Sequence, residues 1–167
     1  MGLYRADNAA LSTGVAVGAG TSYTTGAKVA IQLNVPDNMT IYITEIGWSQ
    51  DVATATNTLM ELATTDAATT SLTTHTTTTI KPLLNNQNAA SRLTMGTGAT
   101  GYGAATIITN TTLRTLHKLY VPQTYVYTYP LGTYPVVGNA TAESFVQLRV
   151  NTTATVNGYC WIVWDEE

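Results

Sequence analysis

The sequence predicts an all-β fold, arranged as a sandwich or a barrel. No segment sustains apolar residues at three- and four-residue spacing, the mark of an amphipathic helix. Threonine makes up about a fifth of the 167 residues, and together with Val, Tyr and Asn it is poor helix material. Short apolar-rich runs alternate with Asn, Gly and Pro, the punctuation of an all-β domain.

The chain opens with residues 1–27, rich in Ala and Gly with isolated Leu3, Tyr4, Leu11 and Tyr23. Its apolar groups are too few to build a core, so it reads as an N-terminal arm, either a disordered tail or a segment that orders on a neighbouring subunit. Residues 28–167 make the sandwich domain. Strands are expected at Lys28–Leu33 and Met39–Gln50, joined by a turn whose Pro36, Asp37 and Asn38 favour chain reversal. Thr58–Ala63 follows. Thr64–Thr79, TTDAATTSLTTHTTTT, is polar and of low complexity, and 85–103 is rich in Asn, Ala, Thr and Gly; both read as long surface loops. Further strands are expected at Ala105–Thr109, Leu113–Tyr120, Thr124–Tyr129, Ser144–Val150 and Thr155–Trp164. Asn157-Gly158 reads equally as a tight hairpin or as a bulge within one terminal strand.

Charge excludes several partner classes. Charged residues are 10% of the chain, against roughly 25% in ordinary soluble domains. The net charge is −3, and Arg5, Lys28, Lys81, Arg92, Arg114, Lys118 and Arg149 are scattered, so neither nucleic acid nor a membrane surface is an expected partner. No apolar run approaches a membrane span, and Met1–Arg5 lacks a signal-peptide core, so synthesis inside a cell is expected. Low charge leaves little colloidal repulsion and favours an assembled state. Asn38, Asn110, Asn139 and Asn151 begin glycosylation sequons, which arise readily by chance in so Thr-rich a chain.

Motifs for chemistry are weak. Gly96–Gly101 fits G-x-G-x-x-G but lacks the preceding strand and following helix that would aim its amides at a pyrophosphate. Gly20–Lys28 has one residue too many between its glycines for a phosphate loop, and Ala27 intervenes before the lysine. His75 reads as a solvated residue of the threonine run and His117 as a paired or rim residue; no ligand spacing surrounds either, so no metal is expected. Cys160, the single cysteine, is either a partner of His117 or, between Tyr159 and Trp161 in an apolar strand, an inert buried thiol. Glu45 and Glu61 are the one conceivable carboxylate pair, with solvated or ion-paired roles as the alternative. Asp165-Glu166-Glu167 reads as a solvating end that discourages edge pairing. The expectation is a protein without cofactor and without enzymatic activity.

What remains is YVYTYPLGTYPVV, residues 125–137. On a strand, Tyr125, Tyr127 and Tyr129 share one face and Val126 and Thr128 the other. Tyrosine buries a large ring while its hydroxyl keeps a partner, so the row suits an internal sandwich face, an oligomer interface or a carbohydrate platform.

From about Glu45 onward the chain resembles tailed-phage virion proteins with a jelly-roll fold, of the capsid decoration or minor-capsid type. The resemblance rests on Glu45-Ile46-Gly47, Tyr120-Val121-Pro122, Tyr129-Pro130-Leu131-Gly132 with Pro135, Leu148-Arg149-Val150, and an aromatic strand ending in Trp164-Asp165-Glu166. Thr133-Tyr134 stands where the family pattern leads one to expect an Arg-Glu pair. The resemblance implies a single jelly-roll-like β-sandwich carrying an extended arm, and a non-enzymatic protein that oligomerises, often as a trimer, on the exterior of an icosahedral shell. Assembly in the host cytoplasm and contact with a major capsid protein follow from it. Tyr125, Tyr127 and Tyr129 are then expected at the oligomer interface, and Leu3, Tyr4 and Arg5 against the shell or a neighbour. The alternatives are a single-jelly-roll coat or extracellular filament subunit, a carbohydrate-binding tail-fibre module, and a hydrolase on a β scaffold, for which no acid, base and nucleophile converge in the sequence.

Overall fold

A computed structural model of the chain describes residues 2–9, 19–51, 58–84, 89–138 and 145–167. Leu11, the sequon at Asn139 and the expected strand start at Ser144 lie outside them. The strands are β1 Gly2–Asp7, β2 Thr21–Tyr23, β3 Gly26–Asn34, β4 Thr40–Gln50, β5 Thr58–Thr65, β6 Thr73–Thr74, β7 Lys81–Pro82, β8 Gly101–Thr106, β9 Leu113–Val121, β10 Thr124–Thr128, β11 Val136–Gly138, β12 Phe145–Thr152 and β13 Val156–Glu166. Among the described residues there is no helix.

The strands form two antiparallel sheets, ordered β10-β4-β13-β1-β7 and β6-β8-β3-β12-β5-β9. With β2, β6, β7, β8 and β11 set aside as additions, the remaining eight strands give β1-β13-β4-β10 in one sheet and β3-β12-β5-β9 in the other. That order, with the chain passing between sheets as it does here, is the double Greek key of a jelly roll. The core between the sheets holds Ile31, Leu33, Ile41, Ile43, Ile46, Trp48, Met60, Leu62, Leu148, Ile162 and Trp164, supplied by alternate residues of the long strands.

Two expectations are corrected here. Residues 2–7 are no arm: β1 pairs along its whole length with β13, Gly2 opposite Glu166 through Asp7 opposite Trp161, and on its other side with β7. Two inward side chains, Tyr4 and Ala6, suffice, because backbone hydrogen bonds tie the strand to its neighbours. Thr21–Tyr23 also pairs with β13, and Tyr23 is in the core. Second, the strand expected at Ala105–Thr109 runs instead over Gly101–Thr106. A side chain at Gly101 would press within 2.7 Å of the Thr73 carbonyl, so glycine admits β6 alongside. Of the two readings of Asn157-Gly158, the one within a single terminal strand holds: both residues lie within β13, opposite β2 and β4, and the register shift of that strand falls further on, between Val163 and Trp164.

The long insertion between β5 and β9 has a structural task. Its β6 pairs with β8 at the edge of one sheet, and its β7 pairs with β1 at the edge of the other. It thereby closes one open side of the sandwich. His75, expected in solvent, is 2% exposed there, with its ring 4.8 Å from that of Tyr102 and its Nδ1 3.0 Å from Thr79 Oγ1. Burial drops its pKa to about 4.

Loop segments also cover the outer face of the second sheet. Gln32 Nε2 donates to the Ala99 carbonyl at 2.8 Å, and Gln147 Nε2 to Gln32 Oε1 at 2.9 Å. Arg149 donates twice to Gln147 Oε1, through Nε at 2.9 Å and Nη2 at 2.8 Å. The glycine-rich loop thus turns a carbonyl onto a buried amide and leads into β8, not a helix.

Candidate functional site

β10 and β9 are the edge strands of their sheets on the side opposite the insertion. Tyr125, Tyr127 and Tyr129 all point inward from β10 and its continuation, where they meet His117 from β9. Tyr125 and Tyr127 stack at 6.4 Å with an angle of 5° between rings, and Tyr127 and Tyr129 meet edge-on at 4.8 Å. The His117 ring lies 4.7 Å from that of Tyr127, and its Nε2 is 3.3 Å from the Tyr125 hydroxyl. Desolvation lowers the His117 pKa. The tyrosine row therefore joins the two sheets: Tyr129 is buried, while Tyr125 and Tyr127 are half-buried at the core margin.

Beside the exposed Thr124 and Thr128, this edge offers apolar residues to solvent. Val126 is 50% exposed and Val136 47%, and Leu131 is 88% exposed at the tip of the turn that follows β10. That turn is closed by the Thr133 amide donating to the Pro130 carbonyl at 2.9 Å, with Gly132 at φ 84° as the third residue of a type II turn. Proline fixes the bend and glycine allows the left-handed residue, which holds Leu131 outward. The chain then returns to β4 as β11.

The outer face of the first sheet carries the remaining signature residues. Trp161 lies across Gly47 on the neighbouring strand, and its Nε1 donates to Glu45 Oε1 at 2.7 Å. Thr128 donates to the other oxygen of Glu45 at 3.1 Å. The Arg5 guanidinium lies 4.7 Å from the Trp161 ring centre and pairs with Asp7 at 2.7 Å. Of the three expected shell-contact residues, Leu3 and Arg5 are partly exposed. Tyr4 is 3% exposed, faces the core beside Trp164 with ring centres 6.0 Å apart, and donates its hydroxyl to the Ala89 carbonyl at 3.0 Å. Tyr4 is therefore taken up inside the chain, because the alternation of β1 turns every second residue inward.

The carboxylates do not converge. Glu45 is on β4 of the first sheet, and Glu61 is on β5 of the second, 3.4 Å from Lys118 and 3.7 Å from Arg149. His117 and Cys160 occupy separate places as well: Cys160 is fully buried in β13, where desolvation pushes its thiol far up. Glu166, expected to solvate the chain end, is buried and accepts hydrogen bonds from Ser91 Oγ at 2.5 Å, the Arg92 amide at 3.0 Å and Trp164 Nε1 at 3.0 Å. It anchors the 89–93 segment against β13. Among the described residues no group of three His, Cys, Asp or Glu side chains is placed to hold a metal ion.

The fold and edges define a jelly-roll sandwich with exposed apolar side chains on β10, on the turn after it and on β11. No family model, characterised protein or solved structure matches the chain.

Proposed function

We propose that this is a virion structural protein, a capsid decoration protein that oligomerises on an icosahedral shell. The observation that carries the reading is the strip of Val126, Leu131 and Val136 on the β10–β11 edge. Apolar side chains grouped on one edge of a small protein favour contact with another subunit, and the jelly roll recurs among capsid proteins. Among the described residues, one side of β10 has no strand partner, a place where a second chain adds backbone hydrogen bonds. In this reading Val126, Leu131 and Val136 make the contact, and Tyr125 and Tyr127 stiffen the strand behind it.

Closed symmetry covers such a strip without polymerising, and a trimer is the expected state. Sedimentation of the purified chain at micromolar concentration, with electron microscopy of the same sample, tests the proposal. A discrete small oligomer that binds preformed shells supports it. Shells or filaments formed by the chain alone would instead favour a coat or filament subunit, and a strict monomer that binds no shell would remove the assembly reading.

A further inference from the structure

At one end of the first sheet, a cleft of about 350 Å³ is lined by Ser49, Asp51, Asn157 and Tyr159, with Ala19 and Gly20 alongside. Small-molecule sites span roughly 300–1,000 Å³ and are mostly apolar. This one offers a carboxylate, a carboxamide, a hydroxyl and one aromatic ring.

The polar groups are held in place. Asn157 Nδ2 donates to Asp51 Oδ2 at 2.9 Å, and the Asp51 amide donates to the Asn157 carbonyl at 3.1 Å. The two planar side chains form a fork that keeps Asp51 Oδ1 and Asn157 Oδ1 as acceptors and the second Asn157 N–H as a donor. Both residues are exposed, so this fork does not belong to the core. Tyr159 is fixed from behind: Arg5 Nη2 donates to its hydroxyl at 3.2 Å, and its ring lies 5.8 Å from that of Trp161. Gly20 brings the opposite wall in, since a Cβ there would come within 2.6 Å of the Gly158 carbonyl.

The charge selects the ligand class. Arg5, the cation behind Tyr159, is ion-paired with Asp7, so Asp51 leaves the cleft with a negative bias that disfavours anions. Paired acceptors and donors beside an aromatic ring suit a molecule with vicinal hydroxyls on one side and C–H groups on the other. We propose that this cleft binds a neutral saccharide, with ring hydroxyls on Asp51, Asn157 and Ser49 and an apolar sugar face on Tyr159. The site lies apart from the Val126–Leu131–Val136 strip and does not depend on the assembly reading.

The test is a titration of the full chain with the methyl glycosides of glucose, galactose, mannose, N-acetylglucosamine and glucuronate. It is followed by saturation-transfer NMR and by the side-chain amide signal of Asn157. At least one neutral glycoside should saturate that signal. Asp51→Asn, at an exposed position, should weaken it at least about tenfold with the melting curve unchanged, because a charge-assisted hydrogen bond is lost. Tyr159→Ala should abolish the transfer. Saturation by none of the neutral glycosides, tighter binding of glucuronate, or undiminished binding by Asp51→Asn would each overturn the proposal.

Discussion

Trp161 of β13 lies across Gly47 of β4, so close that a Cβ on Gly47 would sit 2.1 Å from its Cζ2. On the inner face of the same strand pair, the relationship is reversed: Trp48 of β4 lies across Gly158 of β13, and a Cβ there would sit 2.1 Å from Cη2. Each strand thus gives one indole and one glycine to the other. Glycine weakens a strand, and an aromatic laid across it restores cross-strand contact.

This reciprocity predicts an order of damage. Gly158→Ala is expected to cost about 1–3 kcal/mol or more, because the fully buried Trp48 has no room to move. Gly47→Ala should cost less, since Trp161 is half-buried and swings outward at the loss of its bond to Glu45. Urea denaturation of both variants checks the ranking; equal costs would contradict it.

His75 makes stability depend on pH. Its folded pKa of about 4 lies below the ordinary 6.5, so between these values the unfolded chain binds a proton that the folded chain refuses. The contribution is therefore complete above pH 6.5 and is lost as pH falls toward 4, to a total of about 3 kcal/mol. Asp7 opposes the shift without cancelling it. Denaturation midpoints across that range should slope more steeply for the wild type than for His75→Gln; parallel slopes would show that the imidazole titrates freely.

Removal of residues 1–9 should abolish the cooperative melting transition. The deletion strips β1 from between β13 and β7 and takes Tyr4 out of the core. Tyr4→Ala alone is expected to cost about 3–5 kcal/mol, as other buried aromatic truncations do. A truncated chain that melts like the full one would return this segment to the status of an arm.

Three substitutions separate joint from contact on the β10 edge. Leu131→Asp should dissociate the oligomer while leaving the melting of the monomer unchanged, a loss of about 2 kcal/mol of association. Tyr127→Ser should lower the melting temperature, because it removes the ring between Tyr125, Tyr129 and His117. Tyr129→Phe should be neutral or stabilising, since the Tyr129 hydroxyl is buried without a hydrogen-bond partner among the described residues. Sedimentation and calorimetry on the three distinguish these outcomes.

The sequence by itself determined the all-β class and most of the strands, and it marked the turn at Pro130–Gly132. Alternation of apolar and polar residues is a local property, and β3, β4, β5, β9, β10, β12 and β13 carry enough of it to be read. Only the tertiary structure decided where residues 2–7 belong, which face of β10 turns inward, and that the threonine run seals a sandwich edge over His75. These depend on partners far along the chain: Tyr4 faces Trp164, His117 meets Tyr127 through a different sheet, and Gly101 is in a strand because Thr73 approaches it. Small residues such as Gly2, Ala6 and Gly47 carry almost no local hydrophobic signal. Their places are fixed by backbone hydrogen bonds and by the indole and tyrosine rings that distant strands bring to them.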